Sequence, residues 1–215
     1  MRKLPGKLDN FIDDILITII DKIQPYFYKL GFIPNTLTTI SLICWLFALY
    51  FFVNDGIYYT FYAVLFMILS YFFDCFDGHF ARSYNMVTKF GDYYDHISDV
   101  SKVILLVYFI CTIYTSKVCY ILPILIIFLI LTLTHMACQE LYYDKASASD
   151  TLSLLKYFCI ANKKNVNNVL NIKRFFGCGT FYLVMILSVI YLKNSKKDNN
   201  DNNNNNDKND KNDKK

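Results

Sequence analysis

Four stretches of this chain are long, apolar and free of charge, and that pattern belongs in a bilayer. About 20 apolar residues cross a hydrocarbon core, and a charge at its centre costs on the order of 2.5–3.5 kcal/mol. Leu30 to Asn54 carries no charged residue, and its apolar part, Leu37 to Val53, reads as a first span. Gly56 to Phe73 reads as a second, stopping at Asp74, and Val118 to Gln139 and Phe175 to Leu192 read as two more. Val103 to Ser116 is too short alone, but extending it back to Gly91 gives a helix of spanning length whose first turns carry acids. Residues 140–174 mix a short apolar patch, Leu152 to Ile160 with Lys156 inside it, and a basic Asn-rich stretch, so a sixth span there stays open.

Ahead of the first span, Phe11, Ile12, Ile15, Ile19, Ile23 and Phe27 recur at helical spacing, with Asp13, Asp14, Asp21 and Lys22 on other faces. This is the pattern of an amphipathic helix lying in the interface, over Lys7 to Lys29, with Gly31 and Pro34 breaking it. The expected fold is therefore all-α and integral to the membrane, a bundle of five to six transmembrane helices preceded by an interfacial amphipathic helix. Three parts follow: residues 1–34 as interfacial helix and lead-in, 35–193 as the transmembrane domain, and 194–215 as a tail. The tail holds 10 Asn, 6 Lys, 5 Asp and one Ser, a composition that cannot bury a core and predicts disorder.

Composition narrows the function. The chain is 54% hydrophobic, and about 60% without the tail, against about 45–50% in an ordinary soluble domain. A net charge of +4 is too weak a bias for a nucleic-acid binder. The seven cysteines form no CxxC pair and mostly lie in apolar runs, so neither a disulfide framework nor a zinc site is expected. No cleavable signal peptide is visible, since Asp9, Asp13 and Asp14 precede any long apolar run. The positive-inside rule puts the amino terminus, the Arg82 to Lys89 loop and the Lys163 to Arg174 stretch on the cytosolic side. A multi-pass protein of the endoplasmic reticulum or another internal membrane is expected in a eukaryotic cell.

The chemistry is concentrated in one run. Asp74, Asp77, Gly78, Ala81 and Arg82 fall at offsets 0, 3, 4, 7 and 8, one face of a helix. After eight residues, Gly91, Asp95, Asp99 and Lys102 fall on one face of the next. Two adjacent helices joined by a short loop pack antiparallel, so four carboxylates converge near the cytosolic edge of the bilayer. Unpaired acids at that depth cost a few kcal/mol each, like charges raise one another's pKa, and one Arg82 does not neutralise four. Two divalent cations would. Carboxylate oxygens select hard ions, Mg²⁺ or Mn²⁺, and a metal pair suits an in-line phosphoryl displacement. Small residues at Gly78, Ala81 and Gly91 let a phosphate ligand approach the backbone, and Arg82 can grip it bidentately. Asp92 lies off this face and reads as a solvated helix end.

The pattern D-x2-D-G-x2-A-R-x8-G-x3-D-x3-D, from Asp74 to Asp99, resembles the signature of the class I CDP-alcohol phosphatidyltransferases, with all eight fixed positions matched. The element from Leu30 to Thr38 also looks like the family's, so the resemblance covers roughly Asn10 to Ser116. It implies that Asp74, Asp77 and Asp95 are metal ligands and that Asp99 completes the second metal site and acts as general base on the incoming hydroxyl. It implies that Gly78, Arg82 and Thr88 contact the CDP moiety, with help from Asn35 to Thr38. The hydroxyl would attack the β-phosphorus of the CDP-alcohol and CMP would leave. Membrane lipid, a CDP-alcohol donor and an alcohol acceptor are the implied partners, with a homodimer as the implied assembly.

Three further residues are acceptor-site candidates with bland alternatives beside them. Lys102 either holds an acceptor phosphate or snorkels and pairs with Asp99. His135 sits deep in the fourth span, where polar residues face the bundle interior. Arg174 either attracts an anionic substrate or anchors the last helix. His79 and His96 adjoin the acids but point off the face, which suggests packing or interface roles. The acceptor itself is ambiguous: Asp77-Gly78-His79 is similar to phosphatidylinositol synthases, whereas Asp95-His96 looks like choline and ethanolamine phosphotransferases, which use diacylglycerol. A cation or proton transporter is the rival class, but it predicts acids spread over depth and over several spans.

Overall fold

A computed structural model describes residues 2–143 and 153–212. The elements are α1 (Phe11–Lys29), α2 (Pro34–Val53), α3 (Tyr59–Ser83), α4 (Lys89–Ile113), α5 (Val118–Tyr143), α6 (Val166–Lys173) and α7 (Cys178–Asn212), with short 3-10 turns at Thr115–Lys117, Ser153–Phe158 and Arg174–Phe176. Five segments are long and apolar enough to cross a membrane: Pro34–Val53, Tyr59–Ser83, Lys89–Ile113, Thr115–Tyr143 and Val166–Lys196. The protein is an all-helical, multi-pass membrane protein. Among the described residues no sixth span forms: Ser153–Phe158 is a short 3-10 helix of 6 residues, and Leu152 lies outside them.

Helix α1 begins where Asn10 caps it, accepting from the Ile12 N–H at 3.1 Å. It ends in a Schellman turn: Gly31 takes φ +78°, its N–H reaches the Tyr28 carbonyl, and the Phe32 N–H reaches that of Phe27. Glycine has no Cβ to penalise that left-handed conformation. Pro34 then opens α2 at the position where a missing N–H costs nothing. Phe11, Ile15 and Ile19 stay exposed on the outer face of α1, as an interfacial helix requires. The inner face departs from expectation. Asp13, expected to face water, is buried against the bundle, where the Tyr71 hydroxyl donates to it. Ile20 packs with Leu37, Phe76 and Phe80, so α1 is a docked strut as well as a membrane-surface helix.

The spans share one core. Trp45, Ala48 and Phe52 of α2 pack with Ala63, Met67 and Tyr71 of α3, Leu106 and Ile110 of α4, and Tyr182, Met185 and Val189 of α7. Small residues let α2 lie close along α3, and the Ser41 hydroxyl donates to the Ser70 carbonyl across that seam at 2.8 Å. At the end of the bundle away from α1, Lys193 donates to the Asn54 carbonyl at 2.6 Å, which ties α7 to the α2–α3 turn. Helix α7 continues to Asn212, where composition alone predicts disorder. Extending an existing helix adds one hydrogen bond per residue fixed, so a packed span can seed a polar continuation.

One bond corrects the cysteine reading. Cys138 of α5 and Cys159 after the second 3-10 turn form a disulfide across 21 residues. Neither position has a spacing signal, and Cys138 lies inside an apolar run. The pair sits beside Leu4, Val166 and Leu170, a small satellite core that joins the amino-terminal segment to α5 and α6.

Candidate active site

The site is built at the α3–α4 corner. Helix α3 stops at Ser83, and the chain reverses through Asn85 at φ +55°, a left-handed turn that Asn tolerates better than most residues. The Met86 N–H returns to the Ala81 carbonyl at 2.8 Å, which tightens the corner. Thr88 then caps α4, its hydroxyl accepting from the Gly91 N–H at 3.0 Å. This short reversal sets the carboxyl-terminal turns of α3 against the first turns of α4, and the acids meet.

Each carboxylate has a different setting. Asp77 is buried; it accepts from the Thr38 hydroxyl at 2.5 Å and from the Gly78 N–H. Asp74, one turn deeper, accepts from the Lys102 ammonium. Asp99 lies half-exposed and takes a second bond from the same ammonium at 3.1 Å. Asp95 carries a buried Oδ1 with no hydrogen-bond partner among the described residues. An orphaned carboxylate oxygen is costly in a low-dielectric site, and a cation is what satisfies it. Ligand atoms of Asp95, His96 and Asp99 lie within 4.8 Å of one another, close enough for one ion. Carboxylate oxygens with one imidazole at the edge and no thiolate fit a hard divalent metal better than a thiophilic one.

Beside the acids opens a cleft lined by Asn35 and Thr38 of α2, Asp77, Gly78, Ala81 and Arg82 of α3, Thr88 before α4, and Gly91 and Asp95 on it. The glycines have geometric reasons. A Cβ on Gly78 would stand 3.1 Å from Arg82 Nη1, so the glycine leaves room for the guanidinium to lie against the helix. A Cβ on Gly91 would stand 3.0 Å from both Asn35 Oδ1 and Thr88 Oγ1. Nine positions named from sequence therefore converge on one cleft, while Asp74, Asp99 and Lys102 form the acid cluster at its membrane side.

The structure does not bring the remaining candidates there. Lys102 is buried and committed to Asp74, Asp99 and Ser41, the last at 2.9 Å. That is the pairing alternative, extended to a second acid. His135 is buried in α5, its Nε2 3.0 Å from Gln139 Nε2, and it does not line the cleft. Arg174 does not line the cleft: its Nη1 donates to the Lys7 carbonyl at 2.9 Å, and Asn10 Nδ2 donates to its carbonyl at 2.6 Å. His79 is buried and turned to Asp21 at 2.7 Å, a packing role.

Two residues read as peripheral do line the cleft. Asp92 and His96, 3.4 Å apart, stand at its mouth, and Lys3 and Tyr143 border it from the amino-terminal segment and from the end of α5. A helical wheel picks residues facing a neighbouring helix; a cleft wider than that contact takes in the adjoining 100° as well. Lys3 also pairs with the buried Glu140, a contact across 137 positions that no local pattern announces.

A polytopic helical protein with carboxylates clustered beside an arginine-bearing cleft belongs among membrane enzymes acting on phosphate esters. A sequence model of the CDP-alcohol phosphatidyltransferases matches residues 31–197. No match was found among curated proteins or among solved structures. The chain belongs to the CDP-alcohol phosphatidyltransferase family, whose members are transferases of substituted phosphate groups in phospholipid synthesis and use divalent metal ions. Membership sets the transporter reading aside.

Proposed function

We propose that the protein moves a substituted phosphoryl group from a CDP-alcohol to an acceptor hydroxyl and releases CMP, with Asp99 as general base. The observation that carries this reading is the buried, unpartnered Asp95 Oδ1 at the meeting point of four carboxylates, beside a cleft bearing Arg82. Asp74, Asp77, Asp95 and Asp99 would hold two ions, Mg²⁺ or Mn²⁺. Bound there, the ions offset charge on the attacking and leaving oxygens of an in-line displacement.

The chain's own residues supply the rest. Arg82 and the backbone at Gly78 receive the diphosphate, since a planar guanidinium matches two phosphate oxygens and a glycine allows close approach. Asn35, Thr38, Ala81, Thr88 and Gly91 shape the remaining donor site. Thr38 also fixes the Asp77 carboxylate through its hydroxyl. Asp99 takes the acceptor's proton as its oxygen attacks the β-phosphorus, and the bond to the CMP oxygen breaks.

Inositol is the proposed acceptor, with a homodimer in an internal membrane as the proposed form. A second reading, a choline or ethanolamine phosphotransferase using diacylglycerol, draws support from His96 at the cleft while His79 is turned away to Asp21. The test is metal-dependent CMP release from purified protein. CDP-diacylglycerol is offered with inositol, glycerol 3-phosphate or serine, then CDP-choline or CDP-ethanolamine with diacylglycerol. Release with one pair, lost in Asp99→Asn, is the expected result; metal-independent release or none with any pair counts against the reading.

A further inference from the structure

Lys102 is the one feature of the acid cluster that the phosphotransfer reading leaves unused. Its side chain is 1% exposed, and its ammonium sits between Asp74 and Asp99, with the Ser41 hydroxyl as a third partner. Ser41 in turn donates to the Ser70 carbonyl, so the lysine is held by a built polar seat between α2, α3 and α4. A cation in that place does electrostatically what a metal ion there would do. Charge counting then becomes specific. Within the acid cluster alone, with Asp92 and the Lys3–Glu140 pair left out, four carboxylates against Lys102 and Arg82 leave two negative charges, which one divalent cation cancels; a second cation would leave an excess that the donor's diphosphate cancels.

Resting on the two-metal reading above, we propose that Lys102 is a resident cation that enforces ordered loading: one ion binds the free enzyme tightly, and the second binds together with the nucleotide diphosphate. Lys102 thus acts as a positioning residue, holding Asp74 and Asp99 together until substrate arrives. Removing its charge should let both ions bind without nucleotide.

The experiment is Mn²⁺ binding to the detergent-purified full chain, followed by electron paramagnetic resonance of free Mn²⁺, with and without CDP. Wild type should hold one tight ion alone and two with CDP. Lys102→Met should hold two without CDP, its second ion bound at least about tenfold more tightly than in wild type, as loss of a like charge a few Å away implies. Lys102→Arg, which keeps the charge, should keep the wild-type pattern. Two tight ions in wild type without CDP would overturn the proposal with no variant needed. So would a folded Lys102→Met whose binding curve matches wild type, leaving the phosphotransfer reading intact. No Mn²⁺ binding to wild type, with or without CDP, would instead bring down the two-metal reading itself.

Discussion

The amino-terminal half of the bundle, α1 to α4, and the carboxyl-terminal half, α5 to α7, are held by different means. In the first half, polar groups sit at depth and meet one another: Thr38 with Asp77, Ser41 with Ser70, Lys102 with Asp74 and Asp99. In the second, α5 is uncharged until Glu140 and is fastened at its end by the Cys138–Cys159 disulfide and the Lys3–Glu140 pair. Intramembrane charge is expensive, so where it persists it must be arranged, and arrangement is what a reaction centre needs. The second half packs as a wall beside the first. Among the described residues its one contribution to the cleft is Tyr143.

The sharpest way to break that contrast is to neutralise an acid. Asp77→Asn should lower the rate of CMP release by about 10³-fold or more, a loss of the size seen when a group stabilising transition-state charge is removed. Its thermal midpoint should not fall, because Asp77 is one of four clustered like charges and an amide still accepts from Thr38. A large fall in midpoint with activity retained would make the acids structural.

The disulfide tests the other half. Cys138→Ser should reduce stability by about 3 kcal/mol, the chain-entropy value for closing a loop of this size, and leave the KM for the CDP-alcohol nearly unchanged. The readouts are the thermal midpoint with and without reductant and the steady-state rate. If Cys138→Ser abolishes donor binding, the carboxyl-terminal half is part of the donor site, and the division drawn above fails.

The same division explains what could be read from the chain alone. The charge-free runs gave four spans because a bilayer forbids the alternatives, the fifth needed an extension back through the acids to Gly91, and the offsets from Asp74 to Asp99 gave the acid cluster because a helix fixes which residues share a face. Asp92 and His96 escaped because the cleft is broader than one face. Asp13 escaped because its partner, Tyr71, lies 58 positions away, and no periodicity encodes a hydrogen bond across the fold. Cys138 and Cys159 escaped for the same reason, as did Lys3 with Glu140 at a separation of 137. Local patterns carry local geometry; contacts of long separation are settled by packing.

Asp13 offers a pH test of how α1 docks on α3 within the amino-terminal half. Burial pushes its carboxyl up to about 7 from an ordinary value of 3.8, outweighing the Tyr71 hydrogen bond, and burial likewise pushes Asp9 up to about 6. For an acid whose folded pKa is raised, the unfolded chain ionises first as pH climbs. Stability is therefore full below about pH 4, falls as pH rises through the window to about 7, and is level above it. Asp13→Asn should flatten most of that slope and raise the midpoint at pH 8, by at most about 2 kcal/mol once the weakened Tyr71 bond is allowed for. An unchanged slope would mean that Asp13 is not buried against α3 in the membrane protein, and that α1 is not docked there.

The smallest effect is asked of the helix cap that begins the site. The Thr88 hydroxyl accepts from the Gly91 N–H, and a Gly91 Cβ would crowd both that oxygen and Asn35 Oδ1. Thr88→Ala removes one cap bond, a loss of about 1 kcal/mol, whereas Thr88→Ser keeps it. If the cap only starts a helix, Thr88→Ala lowers the midpoint and leaves kinetics alone. If the cap also places α4 against α2 at the donor cleft, the KM for the CDP-alcohol rises severalfold in Thr88→Ala and returns in Thr88→Ser. The second outcome is expected, because Thr88, Gly91 and Asn35 meet at the cleft wall, where loss of the cap moves a surface that the donor touches. An effect on the midpoint alone would confine donor recognition to the α3 side, at Gly78 and Arg82.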